Sequence, residues 1–221
     1  MSSPRSTEGR PRRRRGVERS PRERILDAAT EVASERGYDG TTIAEVGKRA
    51  QLSATSIYWQ FADKDDLIAA VIGRSYDRWA ATVDLPSSGA RERALEIGRH
   101  VASALTRSPD FLRLGLKLAL QHQETQPLGH EIYLRGRQGA FEQFATLVRD
   151  ADPALSERGV ALVTTYAIAG ADGLFIAREI GGDDIDFVAL FELHARLVFG
   201  AAIDIIANDE SAGRPTSVGD P

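Results

Sequence analysis

The chain has 221 residues, 42% of them hydrophobic, enough for one or two domains with a substantial core. It contains no cysteine, which excludes disulfides, thiolate metal sites and catalysis by a thiol. The formal net charge of −4 looks unsuited to a nucleic-acid binder until it is divided: residues 1–75 hold 14 Lys+Arg against 11 Asp+Glu, and the remainder 14 against 21. A basic module followed by an acidic one is the reading of that asymmetry.

Residues 1–19 carry Arg12-Arg13-Arg14-Arg15 among Ser, Pro and Gly, have no apolar periodicity, and read as a disordered basic tail. Such a tail fits a solubilising extension and a phosphate- or minor-groove-contacting arm alike. The first twenty residues lack the apolar run of a signal peptide, so a cytoplasmic protein is expected. Ser20-Pro21-Arg22-Glu23 combines a capping box with proline at the first helical position and predicts a helix start. Ile25, Ala28, Ala29 and Val32 form its buried stripe, and Gly37 is its expected stop.

Residues 41–61, TTIAEVGKRAQLSATSIYWQF, read as two short helices meeting at a tight turn. Thr42 stands three residues before Glu45 at capping-box spacing, so a helix starts at Ile43, with Ile43, Val46 and Ala50 on one apolar stripe. Lys48 and Arg49 place positive charge near its C-terminal end, where the helix dipole favours it. Gln51-Leu52 breaks the run. Ser53 is the expected N-cap of a second helix over Ala54–Gln60, with Ile57 and Phe61 inward. Thr55, Ser56, Tyr58, Trp59 and Gln60 remain for its outer face, and hydroxyls and amides can donate to phosphates and read base edges. Asp63 caps a further helix from Lys64, whose Leu67, Ile68, Val71 and Ile72 continue the same core.

Ile25-Leu26-Asp27-Ala28-Ala29, Arg36-Gly37-Tyr38, Thr41-Thr42-Ile43, Leu52-Ser53, Ile57-Tyr58, Phe61, Lys64 and Leu67 together resemble the N-terminal DNA-binding domain of the TetR family of bacterial repressors, over about residues 22–72. Two departures stand out: Gln51 occupies a turn position where the family commonly has glycine, and Trp59-Gln60 replaces other polar or aromatic residues. The resemblance implies a fourth helix that runs on past Trp79 and links the DNA-binding domain to an effector domain. It also implies that Lys64 donates to phosphate.

Beyond Pro86 the residues mark helices and no catalytic signature. Ala90, Ala94, Ile97, Val101 and Leu105 make a helical stripe; Ser108-Pro109 precedes FLRLGLKLAL, apolar almost all round and therefore expected to be enclosed. Further helices are predicted from about Leu128 to Arg149, from Asp152-Pro153 to Gly181-Gly182, and from Asp186 through Ile206. No segment alternates with period two, so the fold class is all-α. Residues 159–177 are long and apolar enough to raise a membrane span, but Asp172 at the centre argues for a helix buried on several sides instead. Asp183-Asp184-Asp186 lack the calcium-loop pattern, His122 and Glu124 are two apart and off one helix face, and Gly136 and Gly139 are too sparse for a phosphate loop. No metal, no cofactor and no enzymatic activity are expected.

These readings, with the resemblance, divide the chain into a tail over 1–19, a helix-turn-helix domain over 20–66, a ligand-binding and dimerisation domain over 67–208, and a disordered tail over 209–221. The expected function is a repressor that binds a palindromic double-stranded DNA operator as a homodimer and is released by a small-molecule effector. A helical binding protein that no longer binds DNA, and an activator, are the rivals. The DNA contacts expected are Thr42, Ser53, Thr55, Ser56, Tyr58, Trp59, Gln60 and Lys64. Trp79, Phe111, Leu112, Leu116, Leu120, Tyr133, Phe141, Phe144 and Tyr166 are the candidate ligand lining, with Arg113, His100, His122 and Arg137 as possible polar groups. The resemblance implies a four-helix dimer interface, here expected to use Thr165, Ala169, Asp172, Leu190, Leu193, Leu197, Gly200 and Ala201.

Overall fold

The computed structural model describes residues 19–82, 85, 88–120 and 128–212. All regular elements among them are helical. The first is α1, Pro21–Gly40, opened by the Ser20–Glu23 capping box. Gly37 breaks the helical backbone at φ 73°, as expected of a stop, but one further turn follows before Thr41 caps the end. Next come α2, Ile43–Ala50, and α3, Ala54–Tyr58, then α4, Lys64–Ala80. Ile25, Ala29, Val32, Val46, Ile57, Phe61, Leu67 and Ile72 are buried together. A five-residue helix such as α3 is marginal alone, and this shared core holds it in place.

The larger part of the chain consists of α5, Ala94–Arg107; α6, Asp110–Leu120; α7, Leu128–Ala151; α8, Glu157–Gly181; α9, Phe187–Leu197; and α10, Ile203–Ala212. A π-helical segment, Val198–Ala202, joins the last two. α5 packs on α9, and Gly98 lets them approach: a Cβ there would stand 2.5 Å from the Phe191 carbonyl oxygen.

Four expectations change. α8 begins at Glu157 with Ser156 as N-cap, because residues 152–155 form a turn closed by the Leu155 N–H donating to Asp152. α6 is enclosed over Phe111, Leu112 and Leu114, but its end is not, and Leu120 is 80% exposed. Within one chain α8 is covered along one face only; Val160, Val163, Thr164, Ala167 and Phe175 face inward while Leu162, Tyr166 and Ile176 are exposed. α10 continues to Ala212, past the expected tail boundary at 209. The stretch Glu157–Asp184 is long and apolar enough to cross a membrane by length and composition; here it packs against α7 and α9, and its Asp172 pairs with Arg137. The predicted basic tail lies outside the described residues.

Candidate nucleic-acid interface and ligand cavity

The turn between α2 and α3 is built from backbone demands. Gln51 sits in the left-handed region at φ 56°, ψ 45°, and its N–H reaches the Gly47 and Lys48 carbonyls. It thus does glycine's work at a steric cost of roughly 1–2 kcal/mol. Glycine itself is needed at Gly47, where a Cβ would stand 2.9 Å from the Leu52 carbonyl oxygen. Arg24 donates to the Ala50 carbonyl at 2.6 Å, fastening α1 to the turn. Arg49 adds bonds of 2.9–3.0 Å to Glu31 and Glu35, also on α1.

This frame presents α3 outward. Thr55, Tyr58, Trp59 and Gln60 are exposed, Trp59 at 83%. α3 ends at Tyr58, so Trp59 and Gln60 lie at and just past the helix end rather than within it. Thr42 is exposed and accepts from the Glu45 N–H at 3.2 Å. Ser53 caps α3 through the Ser56 N–H and shares a bond with the Ser56 hydroxyl, leaving both less free than expected for base contacts. Lys64 is half-buried: its ammonium donates to the Tyr38 carbonyl at 3.4 Å and lies 4.0 Å from the Tyr38 ring centroid. The same tyrosine's hydroxyl donates to Asp65.

Behind this module a cavity of about 70 Å³ lies among α4, α5, α6, α7, α8 and α9. Of the predicted lining, Trp79, Phe111, Leu112 and Phe144 reach it. Tyr133 stands behind Phe111 at 5.3 Å between ring centroids, and Phe141 faces an outer groove. Leu116, Leu120 and Tyr166 do not line it; Leu120 and Tyr166 are solvent-exposed. Arg113 is instead paired with Glu179 at 2.7 Å, His100 is not on the wall, and His122 lies outside the described residues. Ile97, Val101, Leu105, Phe191, Val198 and Phe199 complete the apolar wall. Sequence reasoning missed these; the stripe of α5 and the apolar run of α9 were the available signals.

Asp172, expected at a dimer interface, accepts from Arg137 at 3.0 and 2.7 Å and lines the cavity. Its carboxylate finds in α7 a guanidinium partner that a bare helix face could not offer. Burial disfavours the Arg137 charge, but the bonds to Asp172 and Tyr133 outweigh it and raise its pKa. Burial likewise raises the Tyr133 phenol pKa, against the pull of Arg137. The indole N–H of Trp79, on the cavity wall, is buried without a partner. The other residues expected at a dimer interface form an open surface: Thr165, Ala169, Leu193, Leu197 and Ala201 are exposed, and Leu190 and Gly200 are half-buried. Among the described residues no acidic or histidine cluster has the makings of a metal site; Asp183 pairs with Arg178 and Asp186 caps α9.

A helix-turn-helix braced by α1, with its second helix turned to solvent and a larger helical body behind it, defines a DNA-binding regulator domain. Residues 25–71 match the pattern of the bacterial regulatory proteins of the tetR family, which makes this segment a domain of the tetR type. It is 34% identical over 68 residues to the HTH-type transcriptional repressor KstR of Mycolicibacterium smegmatis, covering 31% of this chain and 33% of that one. It is 27% identical over 97 residues to the A-factor receptor protein of Streptomyces griseus, 44% of this chain and 34% of the other. The chain thus spans about a third of the length of these curated relatives. Two solved structures share the fold. A transcriptional regulator from Rhodococcus sp. Rha1 superposes with TM-score 0.67 at 19% identity, over 85% of this chain and 98% of that one. FadR from Bacillus subtilis in complex with stearoyl-CoA gives 0.65 at 18%, over 80% and 97%.

Proposed function

We propose that this chain is a cytoplasmic transcriptional repressor that binds a palindromic operator as a homodimer and is released by a small-molecule effector. The observation that carries the DNA-binding half is the exposed face of α3 and of its C-terminal end, where Thr55 and Tyr58 on the helix and Trp59 and Gln60 just after it stand clear of the core. Thr42, Tyr58 and Lys64 hold phosphates in this reading, while Thr55, Ser56, Trp59 and Gln60 reach base edges and Ser53 sets the entry of α3. Lys64 gives up its bond to Tyr38 to do so. The left-handed Gln51 supports an intact turn between α2 and α3.

The exposed apolar stripe Leu162, Tyr166 and Ile176 on α8, with Leu193 and Leu197 on α9, supports the dimer, since contiguous apolar surface of this kind marks an interaction face. Two copies of α8 and α9 would close a four-helix bundle. Effector release rests on α4. Its Leu67, Val71 and Ile72 belong to the core of the DNA-binding domain, and its Trp79 lines the cavity. A ligand that needs more room than about 70 Å³ displaces α4, and it shifts the population only through tighter binding to that displaced state.

Selection of bound duplexes from a random DNA pool, followed by titration of the selected duplex across a salt series, tests this function. A palindrome with steeply salt-dependent affinity is expected. No enrichment at low salt by folded, dimeric protein would refute it.

A further inference from the structure

The cavity is smaller than the ~300–1,000 Å³ typical of small-molecule sites, at about 70 Å³. Between α7 and α8 lies an outer groove of about 380 Å³, bordered by Leu134, Gln138, Phe141, Thr165 and Ala169. Arg137, Ile168 and Asp172 belong to both walls. The Arg137–Asp172 ion pair and Ile168 therefore stand between cavity and groove, and parting the ion pair opens one space toward the other past Ile168.

The two partners are not held alike. Arg137 also donates to the Tyr133 hydroxyl at 3.2 Å and lies 5.7 Å from that ring's centroid, and Tyr133 is 1% exposed in the core. Both described hydrogen bonds of the Asp172 side chain go to Arg137. When the pair parts, Arg137 keeps its anchor at Tyr133, and Asp172 has the groove beside α7 to turn into. An incoming acid can replace one carboxylate with another on the same guanidinium, keeping the paired geometry and sparing a half-buried charge from standing alone. A cationic head would have to compete for Asp172 and leave Arg137 without a counter-charge. The rest of the wall, including Ile97, Val101, Leu105, Phe144 and Phe191, suits an apolar tail.

We infer that the effector is an amphiphile with an acidic head, which takes the place of Asp172 on Arg137. This rests on the reading of the cavity as the effector site.

Calorimetric titration of the full chain with octanoate, decanoate and dodecanoate, and with the alcohols of equal length, all below micelle formation, tests it. Each acid should bind about tenfold or more tighter than its alcohol, the worth of a charge-assisted bond. Asp172→Asn should tighten the acids several-fold more than it tightens the alcohols; Arg137→Met should bring acids down to the alcohols. Equal binding of acid and alcohol, indifferent to Asp172→Asn, would overturn the head-group inference while leaving an apolar effector cavity. No binding of any of them by folded protein would overturn both.

Discussion

The Arg24 guanidinium on the first turn of α1 donates to the carbonyl of Ala50, the last residue of α2, at 2.6 Å. One of the carbonyls left open at a helix end is thereby satisfied from another helix. The next residue, Gln51, turns the chain in a left-handed conformation toward α3. The recognition surface is positioned by backbone geometry that Arg24 clamps.

Gln51→Gly should consequently stabilise the protein by about 0.5–1 kcal/mol, relief of the left-handed strain exceeding glycine's entropy cost. DNA affinity should be unchanged, because the turn keeps its shape. Urea unfolding beside a binding titration checks both, and a loss of stability would contradict the strain argument.

Tyr58→Phe should weaken binding several-fold on every sequence alike, since a phenol on phosphate carries no base information. Trp59→Ala should instead change which duplexes are selected. Repeating the selection with each variant separates the two roles; the reverse pattern would overturn their assignment.

The described part of the DNA-binding module is not itself basic. Residues 19–75 hold 8 Lys+Arg against 9 Asp+Glu, whereas residues 1–18 hold 6 against 2. Arg36 and Arg49 are moreover paired with Glu45 and with Glu31 and Glu35. Removal of residues 1–18 should weaken DNA binding, lower the salt slope by ~0.9 for each phosphate no longer neutralised, and leave sequence preference intact. An unchanged slope would favour the solubilising tail.

Gly98→Ala places a methyl 2.5 Å from the Phe191 carbonyl oxygen and 2.8 Å from its carbon, where backbone cannot yield as a side chain would. The resulting separation of α5 and α9 should cost about 1–3 kcal/mol in urea unfolding. Unchanged stability would show the two helices to be less tightly packed than this geometry requires.

What was legible in the sequence followed local rules. Ser20, Thr42, Ser53 and Asp63 each cap the helix expected of them, because a side-chain oxygen and a backbone N–H three residues on decide the matter locally. The outward face of α3 was legible for the same reason. What failed needed tertiary facts. Asp172 sits on an apolar helix facing an unseen partner in α7, so periodicity could not show its pairing with Arg137 or its place on the cavity wall. Leu120 and Tyr166 look like core by type, yet the ends and faces of α6 and α8 that carry them remain uncovered. The cavity wall drew on α5 and α9, whose approach depends on Gly98 and Phe191 meeting across much of the chain.

Hydroxyl-radical footprinting of the selected duplex tests the central claim most directly. The account predicts two protected patches on one face of the DNA, centred about 34–36 Å apart, one for each recognition helix of a symmetric dimer. A single patch, or uniform protection along the duplex, would contradict it.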